Sequence, residues 1–298
     1  MPLVCESVLA QSADEPEAFK TFDRAAFEFS HSLHETEYFT LPALLDLAKR
    51  VSARPNRTYI EEDETTPERG WSIRPSKQSL FENLQEIAHT HSLVMLKRVH
   101  EEPEFRQILD NCSAELSELS GIDIAKTYRD AMMTILITSP SRVTPYHIDG
   151  EANLLMQIRG TKSVYIFDGN DRDVLPAVEL EKFWSGDIKA ATYRKQFQDR
   201  AWEFTLKPGL GVSNPITFPH WVKNGPEVSV SLSINFKRIV DNAADVYRVN
   251  ARLRKVGLHP NEPHDIAVLD RAKGTLYRMV RNLSHTISAR KVHTSGIS

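Results

Sequence analysis

The chain has 298 residues, of which 41% are hydrophobic and 26% charged, and its formal net charge is -3. This composition is ordinary for a soluble globular protein and excludes collagen-like, coiled-coil and wholly disordered chains. A protein that mainly binds nucleic acid is usually more basic, so nucleic acid is not an expected partner.

Cysteine usage and hydropathy point to the cytoplasm. With only two cysteines, a disulfide scaffold is not expected, and a reducing compartment is the default. No apolar run approaches the roughly 18 residues that span a bilayer, so no membrane partner is expected. The first twenty residues lack a basic segment and turn acidic early, which argues against a signal peptide.

The front of the chain reads as mixed α/β. Residues 1–15 are polar and predicted to be a loose N-terminus. Apolar residues at helical spacing predict helices at 41–51, 79–91 and 103–119, and β-forming residues predict a strand at 93–99. The charged, Pro- and Gly-containing segment 61–77 is predicted to be a surface loop.

From residue 131 the pattern becomes β. Candidate strands lie at 132–139, 153–159, 162–168, 201–207 and 228–237. Gly160 predicts a two-residue hairpin between the second and third of them, because a type II′ turn needs a positive φ. Many short strands without long intervening helices predict a mainly β jelly roll or sandwich. Segment 169–200 is predicted to be a long charged loop, a candidate lid.

The C-terminal part returns to helical spacing. We expect residues 241–298 to form a helical extension with ten basic and five acidic residues. Its apolar positions are Val246, Val249, Leu253 and Val256, followed by Ile266, Leu269, Leu276 and Val280. This pair of helices would pack on the barrel or on a second subunit, making a homodimer. A helix-turn-helix DNA reader is the alternative, but no groove-reading signature stands out.

The motif His147-Ile148-Asp149 is the first candidate for chemistry. In an extended chain, residues i and i+2 point to the same side, so an imidazole and a carboxylate can bind one metal. Chance alone gives roughly 0.7 such pairs in this composition, so the motif carries nothing by itself. His220, in a Pro-flanked turn before the last strong strand, would complete the two-histidine, one-carboxylate triad of non-haem Fe(II) oxygenases.

Lys162 is an independent element, since it begins the strand after the predicted turn. A lysine buried on a barrel wall needs an anionic partner, and the distal carboxylate of a 2-oxo diacid would be one. The alternative is a lysine that flanks a surface hairpin.

Residues 131–237 resemble the JmjC/cupin-like family of Fe(II)- and 2-oxoglutarate-dependent oxygenases, and most closely its factor-inhibiting asparaginyl hydroxylase branch. The resemblance lies in V-T-P-x-H-x-D at 143–149, Asn153, Q-I-R-G-x-K at 157–162, H-x-V-x-N at 220–224 and Asn235-Phe236. It implies a double-stranded β-helix with that barrel core inside a domain of residues 16–240.

The resemblance also implies a set of site residues. His147, Asp149 and His220 would be catalytic and hold Fe(II). Lys162 and Thr144 would bind the C5 carboxylate of 2-oxoglutarate. The remaining cosubstrate positions would be Asn153 and Asn235, near its other end and the metal, and Leu136 and Leu155 in the apolar wall. The tyrosine that the branch uses on the carboxylate has no counterpart in strand 93–99.

The activity implied is a dioxygenase that uses O2 to hydroxylate a C–H bond and releases succinate and CO2. We favour a small-molecule or sugar-type substrate over a protein side chain. Candidate substrate residues, each also readable as packing or surface, are Arg142, Tyr146, Trp184, Tyr193 and Trp221.

Two other functions fit parts of the sequence. A non-catalytic JmjC-like binding or transcription-regulatory protein would suit the basic C-terminal part, but the complete triad with Lys162 argues against it. A cupin enzyme of another type, such as a zinc or manganese isomerase, would not need the diacid anchor that Lys162 offers.

Overall fold

The structure, a computed structural model, describes residues 7–11, 17–62, 65–69, 76, 78–263 and 267–279. The chain forms two compact units. The first comprises Met1–Val174 and Thr192–Ile239, and the second comprises Leu175–Ala191 and Val240–Ser298.

The first unit is built on strands that follow one another from the N-terminus to residue 238. In chain order they are β1 (Leu9–Ala10), β2 (Phe27–His31), β3 (Thr58–Glu62), β4 (Ser92–Lys97), β5 (Tyr128–Thr138), β6 (Val143–His147), β7 (Ala152–Arg159), β8 (Lys162–Ile166), β9 (Trp202–Leu206), β10 (Leu210–Asn214), β11 (His220–Asn224) and β12 (Ser229–Arg238). They form two antiparallel sheets of eight and four strands, in the orders β1-β2-β10-β7-β12-β5-β4-β3 and β6-β11-β8-β9.

Among strands β5 to β12, the larger sheet takes β5, β7, β10 and β12 and the smaller sheet takes β6, β8, β9 and β11, which is the topology of a jelly roll. The predicted mainly β, double-stranded β-helix fold is therefore confirmed. Apolar side chains from both sheets meet in one core cluster that includes Leu155, Val164, Val212 and Val222. The remaining strands extend the larger sheet, with β2 beside β10 and with β4 beside β5.

The helices of the first unit cover this framework. They are α1 (Leu41–Ser52), α2 (Leu80–Gln85), α3 (Pro103–Ser120) and α4 (Ile124–Thr127). The Thr40 side chain caps α1 by accepting from the Ala43 N–H. Helix α2 starts at a Ser79–Glu82 capping box but ends at Gln85, well short of the predicted residue 91. The turn-forming residues 86–90, which include poor helix formers, lead the chain directly into β4.

The prediction of a hairpin at Gly160 is wrong, although the prediction of a positive φ at this residue is right. Gly160 has φ of 67°, but β7 pairs with β10 and β12 while β8 pairs with β9 and β11. The turn therefore carries the chain from one sheet to the other. A Cβ at Gly160 would lie 2.6 Å from the Val228 carbonyl oxygen, so this turn has no room for any side chain at position 160.

The segment predicted as a plain loop, 169–200, contains a helix. Helix α5 (Ala177–Trp184) belongs to the second unit with α6 (Asn242–Lys255) and a helical segment at 267–279. Arg254 donates to the buried Glu181 carboxylate at 2.7 Å, which joins α6 to α5. The predicted apolar positions Ile266 and Val280 lie outside the described residues. Among the helices that the structure describes, none has the length and apolar character to cross a bilayer.

We predict that Gly160→Ala destabilises the protein more than Gly121→Ala. Both glycines have φ near 70°, so both variants pay about 1–2 kcal/mol for the left-handed backbone. Only the Gly160 methyl group meets backbone atoms, whereas nothing lies within 4 Å of a Cβ at Gly121. Urea unfolding of both variants measures the difference, and equal losses of unfolding free energy would contradict the close approach at Gly160.

Candidate metal centre

The two histidines of the predicted triad are neighbours across the smaller sheet. His147 ends β6 and His220 begins β11, and the antiparallel register pairs them directly. Their ring centroids are 4.1 Å apart. A register shift between His220 and Val222 interrupts the ladder next to the pair, and such bulges re-aim side chains at sheet edges.

Asp149 reaches the same point from the turn after β6. The Thr217 N–H donates to the Asp149 carbonyl at 2.9 Å and holds that turn. The Asp149 Oδ2 atom lies 3.8 Å from His147 Nε2 and 3.7 Å from His220 Nε2. One ligand atom from each residue lies within 4.8 Å of the others.

Both imidazoles are oriented through their second nitrogen. His147 Nδ1 is 2.7 Å from the Pro145 carbonyl oxygen, and His220 Nδ1 is 3.1 Å from that of Phe218. A carbonyl only accepts, so each Nδ1 carries the proton and each Nε2 presents its lone pair. Both lone pairs belong to the nitrogens that face Asp149.

This donor set fits a divalent transition metal. Two donors bound at about 2.1 Å and at right angles stand about 3 Å apart, so the two imidazole–carboxylate spacings need to close by less than an ångström. Two imidazoles and one carboxylate are the ligands of the non-haem Fe(II) triad, which leaves the other coordination positions open. Burial lowers the pKa of His220 to about 4, with a further lowering from His147, so this imidazole is neutral near pH 7.

The triad opens into a cavity of about 340 Å³ between the two sheets. All nine residues predicted for metal and cosubstrate line it: Leu136, Thr144, His147, Asp149, Asn153, Leu155, Lys162, His220 and Asn235. The fold therefore places around one cavity all nine residues that the sequence predicts for metal and cosubstrate.

Lys162 lines this cavity from the first position of β8. Its side chain is buried, and burial lowers the pKa of its ammonium group to about 7. No carboxylate among the described residues reaches salt-bridge distance of it. Thr144 faces the same space from β6, two register positions away along β11.

Three asparagines cross the larger sheet beside the triad. Asn153 pairs in register with Asn214 of β10 and with Asn235 of β12. Asn153 Nδ2 donates to Asn235 Oδ1 at 2.6 Å and to Ser233 Oγ at 2.7 Å. The Asn214 amide nitrogen donates to the Phe218 carbonyl at 3.4 Å and lies 3.0 Å from His220 Nδ1. Because that ring nitrogen carries the proton, the amide packs against the ring of a candidate ligand and does not donate to it.

The loop that carries His220 is anchored from behind by the N-terminal region. Asp23 Oδ1 accepts from the Ile216 N–H at 3.1 Å, one residue before Thr217. Its other oxygen accepts from Arg238 Nε at 2.6 Å and from the Tyr128 hydroxyl at 2.8 Å. The turn that binds the Asp149 carbonyl is thus tied to a buried carboxylate far away in sequence.

The five candidate substrate residues lie elsewhere. In the first unit, Arg142 is buried 3.6 Å from the Glu61 carboxylate, Tyr146 packs between Phe167 and Tyr193, and Trp221 stacks on Tyr165. None of these four candidates (Arg142, Tyr146, Tyr193 and Trp221) lines the cavity. Trp184 belongs to the second unit, where the Arg248 guanidinium lies over its ring.

Sequence reasoning missed other cavity residues. The polar ones include Lys97 on β4, Thr134 and Thr138 on β5, Glu151 just before β7 and Asn214 on β10. Asn214 precedes the Pro-rich turn to His220 and carried no signal of its own. The alternation of Leu93, Met95 and Lys97 could have predicted that these side chains share one face of their strand. It could not have predicted that this face borders the cavity.

Comparison with known proteins agrees on the fold. No family model and no curated protein matches the sequence. Two solved structures of Escherichia coli YcfD, one described as a ribosomal oxygenase, match with TM-scores of 0.52 at 11% and 13% identity, covering 91% of this chain and 68% and 67% of theirs. A YcfD structure with cobalt and 2-oxoglutarate matches with a TM-score of 0.50, 11% identity and coverages of 91% and 67%.

These similarities show that the chain shares the fold of YcfD, in agreement with the fold that the sequence resemblance implied. The narrower likeness to the asparaginyl hydroxylase branch stays a prediction. The individual site residues also stay predictions, supported by their common position around one cavity.

We predict that Asn214→Ala weakens metal binding, because its amide contacts the non-ligating nitrogen of His220. Loss of such an outer partner typically lowers metal affinity 10- to 100-fold. Titration with Mn(II), followed by water proton relaxation, measures the affinity.

The matched control is Asn224→Ala. Asn224 is also buried, but its amide donates to the Ser139 carbonyl and not to a triad residue. We expect this variant to lose stability and keep its Mn(II) affinity, and equal weakening in both variants would refute a specific role for Asn214.

Proposed function

We propose that this protein is an Fe(II)- and 2-oxoglutarate-dependent oxygenase that hydroxylates a C–H bond and releases succinate and CO2. The observation that carries the proposal is one cavity with a two-histidine, one-carboxylate cluster and a buried lysine that no carboxylate of the described chain neutralises. The similar fold of YcfD, solved with cobalt and 2-oxoglutarate, supports it.

Lys162 is the anchor for the distal carboxylate of the cosubstrate. A buried ammonium without a counter-ion destabilises the folded chain, and a bound dianion removes that cost by a charge-assisted hydrogen bond. The hydroxyl of Thr144 is a second donor, and Thr138 faces the cavity from β5. A cupin enzyme that does not use a diacid has no need for such a charge.

The other residues have complementary tasks. His147, Asp149 and His220 would hold Fe(II), which supplies the reduction of O2 coupled to oxidative decarboxylation of 2-oxoglutarate. Asn153 and Asn235 offer amide groups beside the triad, while Leu136 and Leu155 exclude water from the cosubstrate. Asn214, which donates to the same Phe218 carbonyl as His220 Nδ1, would help to hold that carbonyl beside the ring.

The substrate proposal is broad. YcfD is described as a ribosomal oxygenase, which makes a protein side chain a serious candidate beside the small-molecule substrate favoured by the sequence. The self-association proposed for the C-terminal helices stays a prediction. Exposed apolar residues of the second unit, including Val268 and Leu276, suit it.

We predict that the protein releases succinate from 2-oxoglutarate when Fe(II), ascorbate and O2 are present. His147→Ala should lower this turnover at least about 100-fold, because one of three ligands is lost. Mass-spectrometric detection of succinate measures it. His89→Ala, which removes an exposed histidine, is the control and should match the wild type.

The result also separates the alternatives. A non-catalytic binding protein would bind 2-oxoglutarate without releasing succinate. A cupin enzyme of another type, which does not use 2-oxoglutarate, would neither bind it nor release succinate. Turnover that survives His147→Ala would refute the assigned triad.

We predict that 2-oxoglutarate affinity falls as pH rises from 7 to 9. The pKa of Lys162 is lowered by burial to about 7, so the free site loses its positive charge above that pH and must take up a proton to bind the dianion. The expected loss approaches tenfold per pH unit. Calorimetry of the Mn(II)-loaded protein in buffers of different ionisation enthalpy measures both affinity and proton uptake.

Lys162→Met is the control for this titration. It should bind 2-oxoglutarate weakly and with little pH dependence between pH 7 and 9. His220 does not contribute to the profile there, because its pKa lies well below pH 7. A flat wild-type profile would contradict Lys162 as the anchor.

A further inference from the structure

A second lysine faces the catalytic cavity from the opposite sheet. Lys97 ends β4, whose alternate residues Leu93 and Met95 line the cavity with it. Its backbone N–H donates to the Arg57 carbonyl at 2.7 Å, and Thr134 is its direct partner across the strand pair. Lys97 is thus built into the sheet rather than placed on a loop.

The two lysines serve different ends of the cavity. Leu93, at the other end of β4, lies towards Lys162. It pairs with Thr138, and the carbonyl of the next residue, Ser139, accepts from the Asn224 side chain. Asn224 is in turn the register partner of Lys162. Lys97 lies four residues further along β4, which is about 13 Å. There its partner Thr134 is paired with Ser233, next to the asparagines beside the triad.

No described carboxylate neutralises Lys97. Its ammonium nitrogen lies 5.0 Å from the centre of the Tyr59 ring, a contact that holds a cation in place without cancelling its charge. Burial lowers the pKa of Lys97, and no acidic neighbour offsets that effect. The pKa of Tyr59 is raised to about 12, so the phenol stays neutral.

The charges of the loaded cavity make Lys97 stand out. The positive charges of Fe(II) and Lys162 equal the negative charges of Asp149 and 2-oxoglutarate, since metal-bound imidazoles are neutral. The remaining acid in the lining, Glu151, has Lys237 at 3.9 Å. Of the charged residues that line the cavity in the described chain, Lys97 is left without a counter-charge.

We propose that Lys97, with the hydroxyl of Thr134, binds a carboxylate of the substrate that is hydroxylated. The proposal rests on the proposed function, since it assumes that metal and 2-oxoglutarate fill the site first. One ammonium and one hydroxyl suit a carboxylate better than a phosphate, which is usually bound by several donors. Met95 and Met132 line the same wall, so they would contact the apolar part of such a substrate.

The test uses two probes of the same shape, trifluoroacetate and trifluoroacetamide, with the full-length protein loaded with Mn(II) and saturated with 2-oxoglutarate. Mn(II) accelerates the fluorine relaxation of any probe that enters the cavity. We expect about fivefold greater acceleration for the anion than for the amide. Lys97→Met should abolish that excess, Lys97→Arg should retain most of it, and Lys223→Met, on an exposed position of β11, should leave it unchanged.

Each other outcome overturns the proposal. Equal relaxation of the two probes, or an excess that survives Lys97→Met, would show that Lys97 does not select the anion. If Lys97→Met weakens 2-oxoglutarate binding as much as Lys162→Met, then Lys97 belongs to the cosubstrate site. If Mn(II) and 2-oxoglutarate do not bind the wild type at all, the proposed function fails and this inference fails with it.

Discussion

The direct pairing of His147 with His220 is the constraint on which the site depends. This pairing exists because β11 lies between β6 and β8 and runs antiparallel to both. The same strand therefore fixes the distance between the two imidazoles and, through its far end, the position of Lys162. A slip of one residue in β11 would turn His220 to the outer face of the sheet.

The cavity concentrates groups that work against the stability of the empty protein. A buried ammonium at Lys162, a half-buried one at Lys97 and a cluster of donors at the triad are all costly when no ligand compensates them. The surrounding framework offsets this with apolar packing between the sheets. Proteins commonly accept such a local loss of stability where they bind charged ligands.

The sequence was most informative where chemistry and spacing coincide. His147, Asp149 and Lys162 lie within one continuous segment, and the fold brings His220 to them. It failed at Gly160, because a positive φ fixes a tight turn but not which sheet receives the next strand. It also left out Lys97 and Asn214, whose places depend on pairing between strands distant in the chain, and pairing of that kind has no local signature.

Through Asp23, the N-terminal region supports the turn that leads to His220 as well as covering the barrel. This residue precedes every jelly-roll strand, yet its carboxylate holds the turn through which the chain changes sheets to reach His220. A chain shortened to begin at Phe27 would keep all three triad residues and all eight barrel strands, but it would lose the carboxylate that accepts from the Ile216 N–H. The boundary of the functional module is therefore set by an acid that does not line the cavity, and it lies more than a hundred residues upstream of the first triad histidine.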